Sequence, residues 1–302
     1  MSDVATDHAP APPQPRLRWW REVLYGVAVY AVYSVVRNRF GSAGGDPGPA
    51  FGHAKSIIDL ERDLRLYFEA HLQEWYLDLP GRGLIRAWNV YYGLAHFVVT
   101  LGALVLLFRR HPDRYPLWRN ALAFTTCLAV IGFAAYSLMP PRLLDDAGKY
   151  GACPLYAPQA AAAFDRDRPN AEVPGCDRYG YVDTVARYGG WISFGNEGYE
   201  DVSNQYAAMP SMHIGWSTWC AFVLVPLARR RWTRVLAAIY PVLTLFCIIV
   251  TANHYWIDGL GGLVCLGAGY LLALAVTRRA NGWGGRGSPR SPAGAPPQPA
   301  TS

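Results

Sequence analysis

The chain has 302 residues, of which 52% are hydrophobic and 17% charged, and a formal net charge of +6. Its charges are crowded into short clusters between long apolar stretches, which excludes a single soluble domain. The arginine excess flanks those stretches, where it sets topology and meets anionic lipid, so it is not a nucleic-acid signature.

The reading is an all-α, polytopic bundle of six transmembrane helices with an interfacial amphipathic helix and a long outer loop. Residues 1–21 form a disordered cytoplasmic N-terminus, rich in Ala and Pro and without a signal-peptide pattern. Residues 22–279 make one membrane catalytic domain. Its first apolar stretch, near 22–38, is the shortest and carries several tyrosines; an in-plane amphipathic helix is its other reading. The outer loop 39–85 follows. Within it, residues 52–76 set Ile57, Ile58, Leu60, Leu64, Leu66, Phe68 and Leu72 among Lys55, Arg62, Arg65 and Glu69, a mixture suited to an interfacial helix that can break in two. Pro80-Gly81 ends it.

Further spans are predicted near 86–108, 118–139, 210–228, 233–251 and 255–276, each close to the roughly 20 residues that cross a hydrocarbon layer. The outer loop 140–209 separates the third from the fourth and is rich in Gly, Pro, Tyr and charge, as an ordered cap would be. The tail 280–302 is Gly, Pro, Ser and Ala and should be disordered. Arginines cluster before the first span, between the second and third, between the fourth and fifth, and after the sixth. Acidic residues outnumber Lys and Arg in the two long loops. Both termini are therefore expected in the cytoplasm and the long loops outside, in the plasma membrane. Cys153 and Cys176 stand in the second outer loop, an oxidising place, where a disulfide or two free thiols would fit.

The residues that can carry chemistry converge on the outer ends of three helices. Ser211 and His213 open the fourth span, His254 and Asp258 open the sixth, and the third ends at Met139-Pro140-Pro141-Arg142. Pro210 suits the first helical turn, and the helix N-terminus offers free N–H groups to an anion beside Ser211. His254 and Asp258 are four apart, so they share a helical face. An aspartate below a histidine can hold the ring N–H and leave the other nitrogen free to attack. An acid inside a span is a functional signal by default. Two histidines, a serine and an aspartate at one interface can move a phosphoryl group.

Pro210-Ser211-Met212-His213 and His254-Tyr-Trp-Ile-Asp258 resemble the second and third motifs of the type-2 phosphatidic acid phosphatase superfamily. The Met inside the motif, the Pro-Pro-Arg after the third span and the stretch 204–213 resemble its inositol phosphorylceramide synthase-like (inositolphosphotransferase) branch. The resemblance covers roughly 50–280. It implies His254 as the nucleophile that becomes phosphorylated, Asp258 as its orienting group, His213 as the acid that protonates the leaving oxygen, and Ser211 as a phosphate contact. The cationic residues of the superfamily's first motif, and the arginine preceding the third-motif histidine, have no counterpart here. Arg142 is the first candidate to neutralise phosphate in their place, then Lys55 and Arg62.

The expected activity is transfer of a phosphoryl or phosphodiester group from a phosphorylated lipid to water or a polyol, a phosphatase or a phosphotransferase. No cofactor and no metal is expected, because cationic side chains and helix N-termini can hold the charge. Membrane lipids are the other partners; the residues give no oligomeric state. In the alternative reading, the same histidines bind haem or relay protons in a transport protein.

Overall fold

The computed structural model describes residues 18–40, 46–80, 82–163, 173–189 and 205–284. Among them all regular elements are helical, with one isolated parallel bridge between Leu138 and Ala207. Most of the two ends expected to be disordered, 1–17 and 285–302, lies outside the described residues.

The helices are α1 (Trp19–Phe40), α2 (Pro47–Asp63), α3 (Glu69–Asp78), α4 (Ile85–Arg110), α5 (Tyr115–Ala135), three short turns α6 (Cys153–Tyr156), α7 (Pro158–Ala163) and α8 (Thr184–Tyr188), then α9 (Met212–Leu227), α10 (Arg231–Val250) and α11 (Trp256–Gly284). Four of them, α4, α5, α10 and α11, are long and apolar enough to cross a membrane. The shorter apolar α9 has 16 residues. With α1, these occupy the six predicted stretches. Leucines, valines and isoleucines stand exposed along α4, α10 and α11, as they do on helices solvated by hydrocarbon. The chain is thus an integral membrane protein of bundled helices.

Three boundaries differ from the sequence reading. The third span was expected to reach 139, but α5 ends at Ala135 and Leu138 is extended, its N–H bonded to Tyr206 O at 2.8 Å. The cause is local: Pro140 and Pro141 disfavour helix in the residues before them, and the 205–208 segment satisfies the freed backbone groups. The fourth helix begins at Met212, with Ser211 as its extended N-cap residue, so Pro210 precedes the helix rather than opening it. At the far end α11 runs to Gly284, past the boundary expected at 279.

The segment read as interfacial forms two helices. Asp46 caps α2, its side chain accepting from Gly48 N at 2.9 Å, and Pro47 occupies the first turn. The chain then turns through Arg65 at φ 57, with Leu66 N bonded back to Glu61 O. The buried face of α2 is Ala50, Ala54, Ile57, Ile58 and Glu61. That face packs on Leu138, Leu143, Leu144, Tyr150, Tyr181, Tyr206 and Tyr255, so the described parts of 140–209 do form an ordered cap. Asp145 knots this cap by accepting from Tyr156 OH, Tyr179 N and Tyr181 N. Cys153 and Cys176 are joined by a disulfide in the same layer, with Cα atoms 5.3 Å apart.

The bundle below is drawn tight by small residues. A Cβ on Gly262 would fall on the Ser211 carbonyl oxygen, and a Cβ on Gly215 would lie 3.2 Å from Gly262 O across the same contact. α11 therefore lies backbone to backbone on α9, the close approach that glycines permit between membrane helices.

Candidate active site

The turn between α10 and α11 delivers the first functional side chain. α10 ends at Val250. Ala252 takes a left-handed conformation, φ 52, while Asn253 N bonds to Ile248 O at 3.0 Å. This C-terminal motif is normally built with glycine. It turns the chain sharply so that His254 and Tyr255 are buried just before α11 begins. Asp258, in the first turn of α11, is fully buried. Its Oδ2 accepts from Tyr255 N at 3.0 Å and lies 3.3 Å from His254 Nδ1.

His254 Nδ1 is also 2.8 Å from the Ala208 carbonyl oxygen. Two acceptors, one anionic, therefore flank one ring nitrogen. Only an N–H satisfies both, so the proton belongs on Nδ1 and the lone pair of the neutral ring on Nε2. Nε2 points to His213, whose Nδ1 is 3.3 Å away.

His213 comes from the first turn of α9, and the interlock of α9 with α11 sets its position. Ser211 N donates to the Asp258 carbonyl at 2.8 Å, so the N-cap of one helix is tied to the first turn of the other. Ser211 is fully buried and its Oγ has no hydrogen-bond partner among the described residues. A buried hydroxyl beside a helix N-terminus suits an incoming anionic oxygen.

A family model described as PAP2 superfamily matches residues 55–272. The chain belongs to the PAP2 superfamily. No curated protein and no solved structure matches it. Superfamily members are phosphatases and phosphotransferases, so membership supports an enzyme of the lipid phosphatase or phosphotransferase type.

The structure of this PAP2 chain brings His213, His254, Asp258 and Ser211 together. The predicted cations are placed otherwise. Arg142 reaches the site through its main chain, its N–H donating to Ala252 O at 2.8 Å. Its guanidinium donates to Asp183 Oδ2 at 2.6 Å and to the Gln205 side-chain oxygen. The Arg142 and Asp183 side chains are 12% and 11% exposed. Lys55 and Arg62 stand on the exposed side of α2, Lys55 above the Phe51 ring and Arg62 above that of Tyr67, with Asp59 3.9 Å from Arg62.

Two residues outside the predicted set line the same centre, and two more lie buried at the start of α11. Tyr92 of α4 stacks on His213 with ring centroids 4.2 Å apart, and His96 meets His213 edge-on at 4.4 Å. His96 Nδ1 lies 3.0 Å from the Tyr92 carbonyl. The site is thus level with His96, about 16 Å along α4 from Ile85 at 1.5 Å per residue. The first turns of α4 belong to the cap layer: Asn89 bonds Thr184 and Gly189, and Arg86 bonds Tyr188 O. The other two are Glu61 and Glu69, fully buried beside the start of α11. Glu61 had a sequence signal, since it continues the apolar stripe Ala54, Ile57, Ile58 at helical spacing. Glu69 had none and was read as part of the polar face.

Among the described residues no group of three or more His, Cys, Asp or Glu has metal-holding geometry.

Proposed function

We propose that this chain is a six-helix lipid phosphotransferase or phosphatase of the inositolphosphotransferase-like branch, acting through a phosphohistidine on a lipid phosphate or phosphodiester. The observation that carries the reading is the polarity of His254: Nδ1 pinned by Asp258 and Ala208, Nε2 turned toward His213.

In the first displacement His254 Nε2 attacks phosphorus, and the N–P bond forms as the bond to the departing oxygen breaks. His213 gives that oxygen its proton. The positive charge arising on the His254 ring is met by Asp258, already in place and desolvated, so little reorganisation is required. In the second displacement His213 takes a proton from water or a polyol hydroxyl, whose oxygen attacks phosphorus and returns His254 to its starting state. Water as acceptor makes the protein a phosphatase, a polyol a transferase. At 3.3 Å the two ring nitrogens leave no space for a phosphorus between them, so substrate binding must part His213 from His254.

Ser211 Oγ and the first N–H groups of α9 receive phosphate oxygens. Arg142 contributes positive charge from the cap with part of it spent on Asp183, and Lys55 and Arg62 meet the headgroup region from α2. In the proposed topology α1, α4, α5, α9, α10 and α11 cross the plasma membrane, both termini are cytoplasmic, and the cap and site face outward. Arg109 and Arg110 in the last turn of α4 and Arg231 and Arg234 at the start of α10 support that orientation. The haem reading draws no support from the geometry, since the histidines face each other nitrogen to nitrogen with Tyr92 stacked on one of them, leaving no planar slot.

The test is to incubate purified protein with lipid phosphates and phospholipids, with and without inositol, and follow free phosphate and new lipid products in wild type and His254→Ala. Products lost in the variant support the reading and separate hydrolase from transferase. Equal behaviour of the two proteins would overturn it and turn attention to haem absorbance and proton-coupled flux.

A further inference from the structure

Two glutamates from different helices are buried at the start of α11. Glu61 closes the buried stripe of α2 and Glu69 opens α3; neither is exposed. The left-handed turn at Arg65 folds the two helices so that the carboxyls meet.

The donors around them are unequal. Glu69 Oε2 accepts from Phe68 N at 3.0 Å, and its Oε1 from Trp256 N at 3.1 Å, the first residue of α11. Both Glu69 oxygens thus have backbone donors, the environment of an ionised carboxylate at a helix N-terminus. Neither Glu61 oxygen has a donor in hydrogen-bond geometry among the described residues. The Ile257 N–H is near but falls short of it, and the group that faces Glu61 is the Glu69 carboxyl. Two carboxylates cannot face each other in a buried site without a proton between them, and the one without donors keeps it.

We propose that Glu61 and Glu69 are a carboxylic acid and carboxylate sharing one proton, and that this pair caps the first turn of α11 and positions His254 against Asp258. The proposal rests on the phosphohistidine reading for its consequence, since His254 directly precedes the capped turn. Both glutamates are positioning residues. Neither touches the reacting atoms.

The surroundings agree. Burial, and then the Glu69 charge, hold the Glu61 carboxyl far above the usual carboxylate range, at about 9, and Asp258 pushes the same way. Tyr255 faces the pair from the start of α11, Tyr67 from the turn between α2 and α3, and Tyr181 from the cap. Arg62 lies over the Tyr67 ring at 4.9 Å on the exposed side of α2. Losing the shared proton would set three negative carboxylates around one helix end.

The experiment uses full-length protein in detergent, as wild type, Glu61→Ala, Glu61→Gln, Glu69→Gln and His254→Ala. Infrared spectra should show the carbonyl stretch of a buried protonated carboxyl in wild type and His254→Ala, and lose it in Glu61→Gln. In the phosphotransfer assay, Glu61→Ala should lower kcat roughly 10²-fold through misplacement of His254. Glu61→Gln, which copies the protonated acid, should recover most of that loss. Wild-type activity should fall as pH passes about 9, with that limb missing in Glu61→Gln. Glu69→Gln, which removes the acceptor charge, should lower kcat more than it changes KM.

A wild type without the protonated-carboxyl band, a band that survives Glu61→Gln, or an alkaline limb unchanged by that substitution would overturn the proposal. Failure of the reading on which it rests looks different: His254→Ala would match wild type in the assay while the infrared band still reports on the pair.

Discussion

His254 Nε2 stands 3.3 Å from His213 Nδ1, while the opposite nitrogen of His254 is shared between Asp258 and the Ala208 carbonyl. The two rings are therefore chemically unlike although they touch: one is anchored with its lone pair outward, and the other faces that lone pair from a separate helix. Under the proposed mechanism, replacing His213 with Gln should leave the nucleophile in place and remove the proton donor, lowering kcat by roughly 10²–10⁴-fold. A substrate with a leaving group that needs no protonation should lose much less. Single-turnover labelling checks this, with a phosphoenzyme still forming from the activated substrate in His213→Gln and none forming in His254→Ala.

Asp258→Asn tests the charge beside the ring. The amide oxygen can still accept from Tyr255 N, and the Ala208 carbonyl still holds the proton on His254 Nδ1, so the substitution removes the negative charge that would meet the imidazolium. The expected loss in kcat is roughly 10²–10⁴-fold, with the protein still folded, since Asn fills the same volume. Circular dichroism of the helices beside the rate measurement separates this outcome from unfolding.

Gly262 holds α11 against the start of α9, where His213 lies. Its α-carbon lies so close to the Ser211 carbonyl that a methyl group cannot be accommodated without separating α11 from α9. Gly262→Ala should destabilise the bundle by about 1–3 kcal/mol and lower activity by moving His254 relative to His213. Gly267 has open space at its Cβ position, so Gly267→Ala on the same helix is the control and should change neither Tm nor rate.

The Arg142 and Asp183 ion pair is nearly buried, and Asp183 also caps α8 by accepting from Val185 N and Ala186 N. Removing one partner leaves the other as an uncompensated charge. Asp183→Ala should therefore cost about 3–5 kcal/mol of cap stability, seen as faster proteolysis of the 140–209 segment. Arg142→Gln should also raise KM for an anionic lipid if the guanidinium meets phosphate. An unchanged KM would confine Arg142 to the cap.

Glu61 makes stability depend on pH with a definite sign. Its folded value, about 9, lies above the ordinary 4.5, so between those limits the unfolded chain releases a proton that the folded chain keeps. The stabilising contribution is full below 4.5 and is lost progressively as pH rises to about 9. The Tm of wild type should fall across that window relative to Glu61→Gln, as thermal unfolding in detergent would show.

Much of this was legible along the chain. The apolar stretches located the membrane helices within a few residues, because crossing a hydrocarbon layer imposes length and composition locally. His254 and Asp258 were expected to meet by helical spacing, but His254 precedes α11, and the two meet because the turn after α10 sets the ring against the first turn of α11. The Pro140-Pro141 pair carried the early end of α5 in its own chemistry, although the stretch before it is apolar enough to be read as helix to 139.

Contacts between distant segments were decided only by the tertiary structure. The Ala208 carbonyl reaches His254 from across the fold and settles which ring nitrogen is free. Arg142 was expected at the level of the site, and its guanidinium is committed to Asp183 and Gln205, which no local pattern reveals. Glu69 looked like an ordinary charge on an interfacial helix. It is buried because the turn at Arg65 aims it at the N-terminus of α11, where two backbone donors replace the water it gave up. Periodicity along one segment reports what that segment must bury, whereas the partner that compensates a buried charge comes from another part of the chain and exists only once the helices have packed.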